Sequence, residues 1–232
     1  MILGLDTTTE RLHLALVDGD RAWTRWLGPA PGRSHSATLL PAVGDLLAEA
    51  GAAPEALTGV VACVGPGGFT ALRVGVATAE GLALTGLPTW GFSAFQLRDR
   101  ALRLAGCRGP VWILLDGQRQ EAFLQPWQDS GPLGPARKQA LAGLGAVVGE
   151  AAWWAPEAFR DRVAPLLARP PFPLAEEAQA TLEGLAALCR ERPREPPEAP
   201  LAPFYLRETD AEVHFPEASR HLSEALRRGT AR

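Results

Sequence analysis

The stretch VVACVGPGGFTALRVGVATAEGLALTG, residues 60 to 86, carries the clearest structural pattern in this chain. Its first five residues, Val60 to Val64, form an apolar run that is typical of a buried strand. Gly65 to Gly68 follow as a turn in which three of the four positions lack a side chain, and a helix is predicted from Phe69 to Leu84. A strand, a glycine turn and a helix in this order allow backbone amides to approach an anion at the helix N-terminus. The stretch therefore predicts an α/β unit with a candidate ligand loop at its turn.

The predicted helix also carries a row of small residues at a spacing of four. The row consists of Ala71, Gly75, Ala79 and Ala83. Such a row lets a second helix or a sheet approach the helix backbone closely. An interior glycine costs a helix about 1 kcal/mol relative to alanine, and this helix contains two, Gly75 and Gly81. The sequence therefore indicates that the close approach is needed.

The residues before this stretch predict an antiparallel meander followed by a helix. Strands joined by tight turns are expected at Ile2 to Asp6, Leu12 to Val17 and Arg21 to Leu27. A helix with apolar residues at helical spacing is expected from Ser34 or Ser36 to Ala50.

After residue 86, a strand at Thr89 to Phe92 and a helix from Ser93 to Leu104 are predicted. Four arginines give this region a basic edge. They are Arg98, Arg100, Arg103 and Arg108. Charges in this pattern are typical of a solvated helix face.

The order strand, aspartate, polar turn and strand occurs a second time after Pro110. Val111 to Leu115, Asp116 and Ala122 to Trp127 repeat the arrangement that surrounds Asp6. This internal duplication predicts an α/β fold made of two ribonuclease-H-like lobes, the architecture shared by actin, Hsp70 and the sugar kinases. We expect a first lobe at residues 1–105, rejoined by the C-terminal segment from about residue 204, and a degenerate second lobe at 106–203.

The second half is less regular, and fewer elements are predicted there. They are a strand at Ala146 to Gly149, a helix at Ala175 to Arg192, an exposed connector at Arg192 to Pro203, an apolar anchor at Phe204 to Arg207 and a short helix at Glu217 to Arg227.

Composition excludes several classes of protein. The chain has 232 residues, of which 47% are hydrophobic and 21% charged, as in soluble globular proteins. It contains no run of the ~20 apolar residues that a membrane helix needs, so we expect a cytoplasmic protein without a membrane partner. The net charge of −3 argues against a protein whose main task is to bind nucleic acid. Cys63, Cys107 and Cys189 are far apart and the four histidines lack ligand spacing, so no disulfide or metal site is expected.

One hypothesis for the chemistry is an active nucleotide enzyme, either a phosphotransferase or an ATPase. Asp6 and Asp116 would face each other across a magnesium nucleotide. The phosphate-binding positions would be Thr7, Gly65, Gly67 and Gly68. However, the motif GxxxxGK[ST] is absent, and the turn after Asp116 contains one glycine, Gly117.

A second hypothesis is a catalytic nucleophile, Cys63 assisted by His35. Cys63 lies in an apolar strand, where cysteine usually acts as a small hydrophobic residue. A serine nucleophile in a GxSxG turn is absent.

The third hypothesis is a surface for a partner protein on the two helices that flank the strand at Val60 to Val64. Both helices carry more apolar residues than one face packed on a sheet requires. The predicted interface residues are Leu39, Leu40, Val43 and Leu47 in the first helix, and Phe69, Leu72, Arg73, Gly75, Val76, Ala79, Glu80 and Ala83 in the second.

Several stretches resemble the TsaB (YeaZ) family, whose members are non-catalytic components of the bacterial machinery that makes N6-threonylcarbamoyladenosine at position 37 of tRNAs. GPGGFTALRVGVATAEGLAL resembles the family's GPGSFTGxRxG turn and helix. The chain departs from the family pattern at Gly68, Ala71 and Gln118, where serine, glycine and alanine are usual. Further similar stretches are ILGLDTTTERLHLALVDGD, SHSATLLPAVGDLLAEAG, LLDGQRQEAFLQ and APFYLRE.

The resemblance implies a pseudo-enzyme without a cofactor. The related TsaD-type transferase uses a metal-binding HxxxH pair, whereas Leu39 stands four residues after His35 here. The two helices would form a dimer with a second copy or with a TsaD-type paralogue, joined by a TsaE-type ATPase, and tRNA would be contacted through the complex. Asp6, Asp116 and the glycine turn would be vestigial. Asp6→Asn is then expected to change little, and Gly75→Leu to disrupt packing or assembly.

Overall fold

The first half of the chain forms a five-stranded mixed sheet in the computed structural model, which describes residues 1–28, 34–192 and 200–206. The sheet contains β1 (Ile2–Asp6), β2 (Leu12–Asp18), β3 (Arg21–Leu27), β4 (Gly59–Gly65) and β5 (Thr89–Ser93). Its strand order is β3-β2-β1-β4-β5, with an antiparallel meander followed by two strands parallel to β1. This order is that of the ribonuclease-H-like fold, and the predicted elements of this half are confirmed.

The second half repeats this arrangement in a reduced form. Strands β6 (Val111–Gln118) and β7 (Glu121–Gln128) form an antiparallel hairpin. The short strands β8 (Gly131–Pro132) and β9 (Arg137–Ala140) pair with β7, and β10 (Trp153–Trp154) runs parallel to β6. Because β6, β7 and β10 correspond in order and direction to β1, β2 and β4, the predicted duplication is confirmed.

The strand predicted at Ala146 to Gly149 is wrong, because helix α4 (Leu144–Val148) occupies this part of the chain. Leu144 and Val148, one helical turn apart, are both buried beside Trp153. Gly149 then ends the helix with a φ of 57°. Hydrophobic contacts with other elements of the second half stabilise this helix.

Helices cover both faces of the first sheet. They are α1 (His35–Glu49) and α2 (Phe69–Ala83) on one face, and α3 (Ala94–Leu104) and α6 (Glu177–Glu191) on the other; α5 (Glu157–Val163) belongs to the second half. Leu3 and Leu5 of β1 point toward α1 and α2, whereas Ile2 packs in the cluster on the α3 and α6 face. Alternation along the strand therefore places Asp6 on the α3 face.

Helix α6 packs against β1, β2 and α3, although it lies within the predicted second lobe. A Cβ atom at Gly4 would lie only 2.6 Å from the Cys189 sulfur, so α6 lies directly on β1. Phe204 then donates its amide to the Val64 carbonyl at 2.6 Å. The division of the chain into lobes at 1–105 and 106–203 stays a prediction, and the contacts of α6 with β1 and β2 cross the predicted boundary.

Three predicted segments reach outside the described residues. They are the connector at 192–203, of which residues 193–199 are not described, the anchor at 204–207, of which residue 207 is not described, and the helix predicted at Glu217 to Arg227. In the described ranges, no helix is long and apolar enough to cross a membrane.

Candidate functional site

Asp6 ends strand β1, and its side chain is fully buried. One carboxylate oxygen accepts hydrogen bonds from the amide of Thr8 at 3.0 Å and from its hydroxyl at 2.6 Å. The other oxygen lies 3.1 Å from the Arg98 guanidinium and 3.5 Å from Nδ1 of His13. Burial by itself would raise the pKa of Asp6, but Arg98, assisted by His13 and Thr8, holds this pKa well below its usual range. Asp6 is therefore a buried, ionised and fully bound carboxylate.

The prediction of a solvated basic edge is wrong for Arg98 and Arg103, which are only 2% and 9% exposed. Helix α3 is buried between the sheets and α6, and Arg98 lies on its buried row, four residues from both Ala94 and Leu102. Arg103 pairs with Asp99 and with Asp129 at the end of β7. Arg100 pairs with Glu191 near the surface. Arg98 lies between apolar residues at helical spacing, a pattern that indicates a buried position. The prediction followed the charge pattern and missed it.

The glycine turn is closed by the hairpin loop between β1 and β2. Gly68 donates its amide to the Thr8 carbonyl at 3.1 Å. A Cβ atom at Gly67 would lie 2.5 Å from the same oxygen. The Thr7 hydroxyl donates to the Ala71 carbonyl in α2 at 2.8 Å. The two predicted phosphate loops therefore bind each other.

Asp116 lies in a different environment from Asp6. Its side chain is 40% exposed, and its oxygens bind the Gln118 amide at 2.7 Å and Arg162 at 2.8 Å. The next three residues, Gln118, Arg119 and Gln120, have left-handed φ values of 59°, 44° and 63°. The contacts of Asp6 and Asp116 share no residue.

The residues around Asp6 do not fit a magnesium nucleotide. Both oxygens of Asp6 already have protein partners and no solvent access, whereas magnesium usually keeps several waters. The Gly68 amide, which a phosphate would need, donates to Thr8. The hypothesis that Asp6 and Asp116 bind a nucleotide between them therefore lacks a site.

The nucleophile hypothesis also lacks a suitable group. Cys63 is 1% exposed, and burial, together with the charge of Asp6, raises the pKa of its thiol well above the usual value. Nε2 of His35 lies 2.8 Å from the Thr9 carbonyl. Because the thiolate is the nucleophilic form, Cys63 is a structural residue.

Many of the predicted interface residues face the interior of the chain. The buried ones are Leu39, Val43, Leu47, Leu72, Gly75, Val76 and Ala79. Gly75 lies against the side chain of Thr7, so the predicted row of small residues in α2 packs against the loop between β1 and β2. Glu80 and Ala83 are half-buried. Glu80 accepts the Leu201 amide at 2.9 Å. Leu40, Phe69 and Arg73 remain exposed.

A second row of small and apolar residues is exposed on the outside of the same helices. This outer face comprises Leu40, Gly44 and Ala48 of α1, Ala77 and Gly81 of α2, and Leu84 directly after α2. Leu40 is 57% exposed and Leu84 is 90% exposed. A Cβ atom at Gly44 or Gly81 would meet nothing within 4 Å. Helices α1 and α2 cover the same face of the sheet and contact each other, so residues that point away from the sheet on both helices lie on the same side of the molecule.

Sequence reasoning missed Gly44, Ala48, Ala77 and Gly81. Their signal was small residues at a spacing of four, Gly44 and Ala48 in the first helix and Ala77 and Gly81 in the second, where they lie beside the predicted row that contains Gly75. A helix that covers a sheet needs only one inward face, so the row left outside is the one available to a partner.

Comparison with known proteins places these features in a family. The model of the family described as TsaD, tRNA N6-adenosine threonylcarbamoyltransferase, matches residues 30–138. The TsaB proteins of Bacillus subtilis and Escherichia coli are 35% and 37% identical over 119 and 128 residues, covering 50% and 55% of this chain and 52% and 54% of those proteins. The chain thus spans about half the length of the curated relatives it matches.

Other similarities extend over most of the chain. An uncharacterised protein of Mycobacterium bovis is 31% identical over 223 residues, which cover 90% of this chain and 93% of that protein. YeaZ from Pseudomonas aeruginosa superposes with a TM-score of 0.64 at 26% identity, covering 82% of this chain and 93% of that one. A second Pseudomonas aeruginosa structure, described as similar to peptidase YEAZ, has a TM-score of 0.68 at 25% identity and covers 89% of this chain and 99% of that one. Together with the two-lobed fold and the matching glycine turn, these similarities establish that the chain belongs to the TsaB (YeaZ) family.

Proposed function

We propose that the chain is a non-catalytic subunit in the biosynthesis of N6-threonylcarbamoyladenosine at position 37 of tRNA, and that it dimerises with a TsaD-type threonylcarbamoyl transferase. The names of the TsaB relatives support the pathway. The absence of a fitting nucleotide site around Asp6 supports the non-catalytic role.

The observation that carries the dimer is the pair of exposed glycines on the outer face, Gly44 and Gly81. Each lies inside a helix, where glycine costs about 1 kcal/mol relative to alanine. No atom of the described residues uses the space beside either glycine. A second chain that packs its helices closely against α1 and α2 would use this space, and would also cover Leu40 and Leu84.

The family-model match favours a partner whose helices resemble α1 and α2. The TsaD family model matches residues 30–138, a range that contains both α1 and α2. A TsaD-type partner would therefore present two similar helices, and the four helices would pair around a pseudo-twofold axis. A second copy of this chain could use the same surface, so we propose a homodimer when the partner is absent. A TsaE-type ATPase would join the heterodimer, and tRNA would be contacted through the complex.

The test compares two exposed leucines at helix ends. Leu84→Glu changes the outer face, and Leu104→Glu changes the end of α3, where the leucine is 53% exposed. Affinity for the TsaD-type paralogue of the same organism would be measured by fluorescence anisotropy, and modified tRNA by mass spectrometry in the reconstituted system.

We expect Leu84→Glu to weaken the heterodimer at least about tenfold, because the interface would bury an unpaired carboxylate. Leu104→Glu should assemble like the wild type. If Leu84→Glu bound the paralogue as tightly as Leu104→Glu, the proposed interface would be refuted. Modification of tRNA without the paralogue would refute the non-catalytic role.

A further inference from the structure

The carboxyl edge of the first sheet brings a carboxylate, Asp6, beside a glycine turn and the N-terminus of α2. Parallel strands β1 and β4 end there at Asp6 and Gly65, beside the glycine turn that leads into α2. In open α/β sheets, ligands bind beyond the carboxyl ends of parallel strands. A carboxylate at this edge can bind a divalent cation, and a helix N-terminus can bind an anion.

In this chain a side chain supplies the positive charge at that place. Arg98 extends from α3 and places Nη1 3.1 Å from Oδ2 of Asp6. The side chains of Asp6 and Arg98 are only 0% and 3% exposed. A buried carboxylate needs a counter-charge, because an unpaired ion in the interior is very costly. Arg98 meets this need with a charge that does not depend on pH in the physiological range.

The remaining positions around the carboxylate are also filled by the chain. Thr8 donates its amide and its hydroxyl to Oδ1 of Asp6. The Thr8 carbonyl accepts the Gly68 amide, and the Thr8 backbone lies against Gly67. While the Arg98 guanidinium lies against Oδ2, both oxygens of Asp6 have protein partners, so neither is free to bind a metal ion.

We propose that Arg98 is a built-in cation, whose guanidinium takes the position at Asp6 that a divalent metal ion would take and closes this edge of the sheet to metal–phosphate ligands. The inference rests on the proposed non-catalytic function and gives it a physical cause in this chain. It concerns the isolated chain, so it is tested without the partner.

The experiment measures the melting temperature and Mn²⁺ binding of the isolated chain. Arg98→Met removes the charge and keeps an unbranched side chain, and Asp6→Asn/Arg98→Met removes both charges. Arg100→Met on the same helix is the control, because its partner Glu191 lies near the surface. Melting is followed by circular dichroism with and without Mn²⁺, and bound Mn²⁺ by electron paramagnetic resonance.

We expect the melting temperature of Arg98→Met to fall by about 10 °C, because a buried pair is broken. Mn²⁺ should raise the melting temperature of this variant and bind to it, but should do neither in the wild type, Arg100→Met or the double variant. The inference would be overturned by a wild type that binds Mn²⁺ through Asp6, or by an Arg98→Met protein that Mn²⁺ does not stabilise.

If Arg98→Met does not fold, the double variant decides the question. A folded Asp6→Asn/Arg98→Met protein would support the inference, because removing both charges removes the need for a cation. Failure of both variants to fold would overturn it. A failed heterodimer test with Leu84→Glu would leave these results unaffected, so the two proposals can fail separately.

Discussion

Gly75, in the middle of α2, lies against the side chain of Thr7, whose hydroxyl donates a 2.8 Å hydrogen bond to the Ala71 carbonyl one turn earlier. This contact joins the β1–β2 loop to the helix that follows the glycine turn. The small residue at position 75 therefore serves the fold of the chain itself.

Gly75→Ala should destabilise the isolated chain by about 1–3 kcal/mol, because the new methyl group would overlap the buried, β-branched side chain of Thr7. Urea denaturation followed by circular dichroism measures this change. Gly75→Leu should be worse, and its defect should be one of folding. A Gly75→Leu protein that is as stable as the wild type but fails to assemble would contradict this assignment.

Gly81→Ala, on the same helix, should have the opposite effect on stability. Its Cβ would enter open space, so the helix should gain about 0.5–1 kcal/mol from the replacement of an interior glycine. The same methyl group would occupy the proposed contact with a partner, so affinity for the TsaD-type paralogue should fall. Both quantities can be measured on one preparation; unchanged affinity would argue against close approach at Gly81.

Asp6→Asn should destabilise the isolated chain strongly, by about 3–5 kcal/mol near pH 7, because it leaves the buried Arg98 without its counter-charge. This replaces the expectation that the substitution changes little. The sequence suggested a vestigial carboxylate, whereas the structure gives Asp6 a buried cationic partner.

The difference in unfolding free energy between the wild type and Asp6→Asn should change with pH in a definite direction. The pKa of Asp6 is lowered from its ordinary value of 3.8, so its contribution is present above about pH 4 and is lost as the pH falls below that value. The difference in unfolding free energy between the wild type and Asp6→Asn should therefore shrink as the pH falls from 4 toward 2.5. A difference that grows in acid would contradict the ion pair.

Gln120→Gly in the β6–β7 turn should stabilise the chain by about 1 kcal/mol. Gln120 has a φ of 63°, a conformation that costs a residue with a Cβ atom about 1–2 kcal/mol and costs glycine little. Its carbonyl still accepts the Leu141 amide after the change. Gln128→Gly, at the end of β7, is the matched control and should destabilise, so stabilisation by both substitutions would exclude this explanation.

The elements that sequence reasoning placed well are long or strongly patterned. Strand β1 and helix α2 were predicted to within a residue, and the repeat of strand, aspartate and turn correctly predicted the duplicated fold. Helix α4 was missed because five residues are too few to reveal a helical period. Arg98 was misplaced because a charged side chain was assumed to be solvated, and its counter-charge lies 92 residues away in the chain.

The strands, helices and turns of this fold can be predicted from local sequence, because apolar periodicity and glycine turns are properties of each segment. Which face of α2 points outward depends on tertiary contacts. The helix has two neighbouring rows of small residues, and the row at Gly75 became internal because the hairpin loop with Thr7 docks there. Gly81 stayed outside because no described residue reaches it. Contacts between distant segments determine which row of small residues is buried. Such contacts produce no periodic pattern in the sequence of either segment.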